Sequence, residues 1–276
     1  GLAALGRFAL ACTCHRSILR CVPGPVAAAA AFSDRGMLTA GIGNDILVTF
    51  GQMKTRDRII HVSLELFNRE GEPNVTTVDI ANELDISPGN LYYHFKGKEE
   101  LVRELFERFY EQFNVILRAP VQNPLRMEDN WFYLVVVFEH MHAYRFLYGN
   151  ISLILQRYEQ IQRPFRRLIH MKQDAARAIC LQLRKAGIME IDDGSVDMLA
   201  RSIALTITYW FNFDRLLGDR PGQDEDLIHD GVLQVLSLIA PHLGTMQQEF
   251  MDTAHAIHSR LGRAAAQATR PRGGKR

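Results

Sequence analysis

Apolar residues recur at helical spacing from Thr55 to Arg69. Ile59, Ile60, Ser63, Leu66 and Phe67 share one face, and Gly71 supplies a stop. Pro73 and Asn74 predict a loop. Thr76 and Asp79 then fit the [ST]-x-x-[DE] pattern that opens a helix, with Ile80 and Leu84 on one face. Asp85 and Ile86 break the pattern. Ser87 is a good N-cap, and Pro88 sits where the first helical residue has no use for its N–H. Two short helices joined by a tight turn are predicted here. After Gly97, Glu99 and Glu100 suit a helix N-terminus, and Leu101, Leu105, Phe109 and Phe113 carry a long helix to about Arg118. Ala119 to Pro124 reads as a connector.

The remaining pattern is helical. Glu128 to Tyr148 is aromatic-rich, and Ile151 to Gln162 follows. Pro164 opens a helix closed by Gly187. Ser195 to Leu217 is apolar on nearly every side, which predicts a buried helix. Asp224 to Leu243 is a last amphipathic helix, with a resumption through His258 after Pro241. No strand is predicted. The expected architecture is all-α: a three-helix, helix-turn-helix domain over residues 53–100, a larger helical domain over 101–258, and a basic flexible tail over 259–276.

Residues 1–52 do not fit this scheme. They are rich in Ala, Gly and scattered Arg, without sustained periodicity, and the clean pattern begins at Met53. A segment foreign to the folded protein is favoured over a disordered native arm or a cleaved targeting segment. Cys12, Cys14, His15 and Cys21 lie here, at spacings that match no paired zinc pattern. Cys180 is the only cysteine in the main body, which suits a reducing cytoplasm. No run is long and apolar enough to span a membrane.

The formal net charge of +1 neither supports nor excludes a nucleic-acid partner. Over residues 53–118, nine Lys or Arg stand against twelve Asp or Glu, 9 − 12 = −3. Any DNA contact must therefore come from a few well-placed donors rather than from bulk charge. The second short helix offers them. Its leading residues Ser87, Gly89 and Asn90 are small enough for close approach to a major groove. Asn90 can pair bidentately with adenine, or it serves as a cap or faces solvent.

The run Thr76, Thr77, Ile80, Ala81, Leu91, Tyr92, His94, Phe95, Lys98 and Glu99 resembles the TetR family of bacterial regulators. It covers about a quarter of the chain. The wider text MKTRDRI, LFNREGEPNVTT and IANELDISPGNLYYHFKGKEELV is similar to the PhaD-type regulators of polyhydroxyalkanoate gene clusters. The likeness continues in YRFLYGN near Tyr144 and in APHL at Ala240–Leu243.

The resemblance implies binding of double-stranded operator DNA as a homodimer, with a small-molecule effector, no cofactor and no metal. Tyr92, Tyr93, His94 and Lys98 match family positions that contact the DNA backbone, and their donors suit phosphate oxygens. One tyrosine, Tyr93, is expected to be partly buried. Thr77 is either a phosphate donor or a pure cap. An effector pocket is expected among Trp131, Phe132, Val135, Phe138, Met141, Phe146 and Trp210, each of which is otherwise ordinary core. Its apolar lining favours an apolar or acyl-type ligand, and Arg145 or Arg157 offers a partner for a carboxylate. Dimerisation is expected through Ser195–Leu217 and Asp224–Leu243, which sets two recognition helices about 34 Å apart.

Two rivals differ in class. A helical regulator could answer to a protein partner instead of a small molecule. A metal-dependent enzyme would have to use Glu139, His140 and His142, or Asp252, His255 and His258, or His170 with Asp174. His140 and His142 point to different faces of a helix, and no phosphate loop or nucleophile signature is present.

Overall fold

The structure, a computed structural model, describes residues 54–122, 129–218 and 224–268. The leader over 1–52, with its cysteines, and the end of the tail lie outside the described residues. Among those described, every regular element is helical, and no helix is long and apolar enough to cross a membrane.

Helix α1 spans Thr55–Glu70, followed by a 3-10 turn at Glu72–Asn74. Helix α2 is Thr77–Glu83, α3 is Pro88–His94 and α4 is Lys98–Gln122. Next come α5 (Asp129–Ala143), α6 (Phe146–Gly149), α7 (Ile151–Arg157) and α8 (Glu159–Lys185). Helices α9 (Asp193–Leu217), α10 (Asp224–Ile239) and α11 (Gln247–Ala268) complete the order.

Local chemistry sets the ends of the short helices. Thr76 and Asp79 form a reciprocal capping box at α2. The Ser87 hydroxyl accepts from Asn90 N at 3.1 Å, and Pro88 occupies the first turn of α3. Between the two, Asp85 adopts φ 53°, the left-handed conformation that lets Ile86 N reach Ala81 O at 3.0 Å.

The structure moves several predicted boundaries. Helix α4 continues through Pro120 to Gln122, because a proline in the last turn removes a single intrahelical bond. The Gln182 side chain also holds Pro120 O at 2.7 Å. Helix α8 begins at Glu159 and contains Pro164 instead of starting there. The segment expected as one helix over Ile151–Gln162 breaks at Tyr158. The aromatic-rich stretch ends at Ala143, with a short α6 after it. Helix α11 runs to Ala268, where a loose chain was expected from 259.

The chain forms two compact units that interleave in sequence. Of the described residues, one takes 54–116 together with 143–168; the other takes 117–122, 129–142, 169–218 and 224–268. In the first, the helix-turn-helix shares a core with residues after Ala143. Phe67 meets Phe146 at 5.4 Å, Phe109 meets Tyr144 at 5.3 Å, and Asn68 donates to Ala143 O at 2.8 Å while accepting from Phe146 N. The head therefore does not close on itself at residue 100. In the second unit, α5, α9 and α10 pack tightly at Gly231. A Cβ there would stand 2.8 Å from both the Phe138 and Trp210 rings.

Candidate functional site

Helix α3 divides its residues sharply between core and solvent. Leu91 is 2% exposed and Phe95 is fully buried, so both anchor the helix. Ser87, Gly89 and Asn90 are exposed at its front. Tyr92 is 58% and Tyr93 76% exposed. Large aromatic rings left in solvent side by side lose burial that they would otherwise gain, which marks the face for a partner. His94 is half-buried, edge-on to Tyr93 at 5.1 Å. Thr77 is half-buried at the first position of α2, where Thr76 and not Thr77 makes the cap.

Two expectations are corrected here. Tyr93 is not partly buried; it is the more exposed of the pair, because α3 has only two turns and Leu91 and Phe95 already fill its inner face. Lys98 is not a free phosphate donor. Its ammonium donates to the Glu72 carbonyl and pairs with the Glu72 carboxylate at 2.8 Å. Glu72 is 1% exposed, and a buried carboxylate holds its cation strongly. Lys96 takes the exposed place instead, with its ammonium 4.8 Å over the Tyr92 ring. The sequence reading passed over Lys96, although its position one residue after Phe95 signals the end of the exposed face.

A cavity lies within the second unit. Asn130, Tyr133, Leu134 and Val137 line it from α5, a single helical face. Helix α8 contributes Lys172, Ala175, Ala176, Ile179 and Cys180. Ile203 and Ile207 of α9, Val235 and Ile239 of α10, and Leu117 close it. The space is small: the centres of water-sized spheres fit over about 30 Å³.

None of the seven expected pocket residues lines this cavity. Trp131, Phe132, Val135 and Phe138 belong to other faces of α5, while Met141 lies on the lining face one turn beyond Val137 but is not among the lining residues; the helix is apolar almost all round and so gives no periodic signal for the lining face. Trp131 lies 6.2 Å from His229, and Phe138 6.1 Å from Phe211. Trp210 donates to Leu227 O at 2.8 Å. Phe146 belongs to the first unit altogether, against Phe67. Arg157 pairs with Glu72 at 3.3 Å and is not among the residues that line the cavity.

Lys172 is the one basic residue of that lining, and it is 2% exposed. Its amine donates to Thr208 Oγ1 at 3.1 Å, and the Thr208 hydroxyl donates in turn to Ala204 O at 2.7 Å. Burial pushes the Lys172 ammonium down to about 7. Tyr133 is 5% exposed, burial pushes its phenol well above the usual range, and its hydroxyl has no hydrogen-bond partner among the described residues.

Helix α9 is not buried all round. Met198, Leu205, Tyr209, Phe213 and Leu216 are exposed at helical spacing along one face, while Ile203, Ile207 and Phe211 are buried on the other. As for the enzyme rival, His140 is buried, His142 rests on Phe211 at 5.6 Å, and His258 binds Asp230 at 3.0 Å. His170 and His255 face solvent. Among the described residues no group of three or more His, Cys, Asp or Glu could hold a metal ion.

Known proteins share this arrangement. The profile of bacterial regulatory proteins of the tetR family matches residues 59–105, and that of TetR, bacterial transcriptional repressor, matches 108–250. The chain belongs to the TetR family of bacterial transcriptional regulators. A solved TetR-family regulator from Marinobacter aquaeolei VT8 is 33% identical, with TM-score 0.66 over 75% of this chain and 98% of that one. A gamma-butyrolactone receptor, an ArpA-like protein, shares the fold at 14% identity and TM-score 0.53, over 75% of this chain and 97% of its own. The probable HTH-type transcriptional regulator YttP of Bacillus subtilis (strain 168) is 28% identical over 109 residues, 37% of this chain and 53% of its own length. The chain thus spans about half the length of this curated relative.

Proposed function

We propose that the protein binds operator DNA as a homodimer, and that a small apolar or acyl-type molecule entering the cavity among α5, α8, α9 and α10 changes that binding. The observation that carries the DNA half is the exposed face of α3. Ser87, Gly89 and Asn90 lead it, and Tyr92, Tyr93 and Lys96 flank them, while Leu91 and Phe95 fix its pose. Asn90 reads a base edge; the tyrosines, His94 and Lys96 hold phosphates; Thr77 is a backbone donor from the start of α2. Lys98 acts from inside, by holding Glu72.

The exposed apolar face of α9 supports a second copy of the chain as its cover. The similarity to PhaD-type regulators supports genes of polyhydroxyalkanoate or fatty-acid metabolism as targets. Control requires the ligand to favour one conformation over another, since equal affinity for both would shift nothing. The chain passes from one unit into the other within α4, at the end of α5 and within α8, and these are the covalent routes for that coupling.

The test is fluorescence anisotropy with duplex from upstream of the protein's own gene against a scrambled duplex. Asn90→Ala should lose about 1–3 kcal/mol of discrimination. Tyr92→Phe should weaken binding to both duplexes alike. Equal affinity of the unmodified protein for the two duplexes at moderate salt would falsify the DNA-binding assignment.

A further inference from the structure

The cavity carries information beyond its shape. Its wall is mostly aliphatic, yet beside the Asn130 amide and the Cys180 thiol it contains one amine and one phenol on different helices, Lys172 of α8 and Tyr133 of α5. A buried hydroxyl that makes no hydrogen bond is rare, because it forfeits its water without replacement. A ligand whose head accepts hydrogen bonds would supply what Tyr133 lacks. The head best matched to an O–H donor and an amine together is a carboxylate, whose two oxygens offer about four acceptor sites. The aliphatic part of the wall, with Val137, Ile179, Ile203 and Ile207, suits an aliphatic tail.

We infer that the cavity recognises an aliphatic monocarboxylate, with Lys172 and Tyr133 gripping its head and the apolar wall holding its tail. This rests on the reading of the second unit as an effector sensor, and it replaces Arg145 and Arg157 with Lys172 as the cation. The titratable groups that line the space are Lys172, Tyr133 and Cys180; no lining residue is an acid. Burial raises the phenol and pushes the Cys180 thiol up to about 11. Near neutrality only Lys172 changes charge. With its pKa near 7 in the unliganded protein, the amine is mostly neutral at about pH 8 and must take up a proton to pair with an anion.

Isothermal titration of the full chain with octanoate and with octan-1-ol, which have the same tail and different heads, tests this. Octanoate should bind at least about tenfold more tightly than the alcohol. Lys172→Met should weaken octanoate about 10- to 100-fold and leave the alcohol within about threefold. Tyr133→Phe should weaken octanoate several-fold without removing any charge. In buffers of differing ionisation enthalpy, octanoate binding at about pH 8 should take up close to one proton, and octanol binding none. If the two ligands bind alike, or Lys172→Met keeps its affinity for octanoate, the carboxylate grip is wrong and the sensor reading survives. If neither ligand binds and neither alters DNA affinity, the sensor reading falls as well.

Discussion

The Tyr158 hydroxyl donates to the buried carboxylate of Glu72, 86 residues away in the chain. Lys98 and Arg157 reach the same carboxylate at 2.8 and 3.3 Å. Glu72 sits in the turn that precedes α2, so this cluster ties the helix-turn-helix to α7 and α8 within the first unit. Burial, and then the hydrogen bond from Tyr158 to Glu72, push the phenol well above its usual range. Tyr158→Phe should cost about 1.5–3 kcal/mol in urea unfolding, the range for hydrogen bonds to charged groups. Lys98→Ala should cost about 1–3 kcal/mol, less than a fully orphaned buried charge would, since Arg157 and Tyr158 still hold Glu72. If Lys98→Ala left stability unchanged and weakened DNA binding alone, Lys98 would be a phosphate contact after all.

Asp85 is the one described non-glycine residue with positive φ, at 53°. Aspartate tolerates this conformation better than most side chains, and glycine better still. Asp85→Gly should be neutral or should stabilise by up to about 1 kcal/mol, whereas Asp85→Val should cost about 1–2 kcal/mol. Thermal denaturation of the two variants distinguishes them. Equal melting temperatures would mean that this turn is not held in the left-handed region.

Gly231 has no room for a methyl group between the Phe138 and Trp210 rings. Gly231→Ala gains helix propensity but must push an aromatic ring aside. Overpacking should win, with a net loss of about 1–3 kcal/mol. Stabilisation in a chemical-denaturation series would show that the rings yield easily.

Lys172 makes stability depend on pH. Its folded pKa of about 7 lies below the ordinary lysine value of 10.5, so the unfolded chain binds more protons between these limits. This group's contribution is fully present above about 10.5 and is lost as pH falls toward 7. Lys172→Met should remove that slope and raise the melting temperature most at about pH 6, by an amount equivalent to about 1–4 kcal/mol. A wild-type curve parallel to that of the variant from about pH 6 to 9 would argue that the amine is better solvated than its 2% exposure indicates.

Leu205 and Leu216 are 61% and 77% exposed on α9, on the face shared with Met198 and Tyr209. Leu205→Glu with Leu216→Glu should leave the fold of one chain intact, because neither side chain is in its core. Sedimentation should then show monomers where the unmodified chain shows dimers. A dimer that survives both charges would place the interface elsewhere.

The order of helices and most of their starts were legible in the chain. The Thr76–Asp79 box, the Ser87–Pro88 opening and the spacing of Leu101, Leu105 and Phe109 act within a few residues, so the text alone carries them. The division of α3 into Leu91 and Phe95 against Asn90 and Tyr92 was equally local. Tyr93 and Lys98 were not, because their places depend on how much core is already filled and on Glu72, 26 residues from Lys98. The lining face of α5 and the open face of α9 were illegible for one reason. A helix that is apolar on most sides has no preferred direction until its neighbours arrive. Sequence determined that helices form and where their caps lie; only tertiary packing decided which faces meet, which enclose the cavity with Lys172 and Tyr133, and which remain outside.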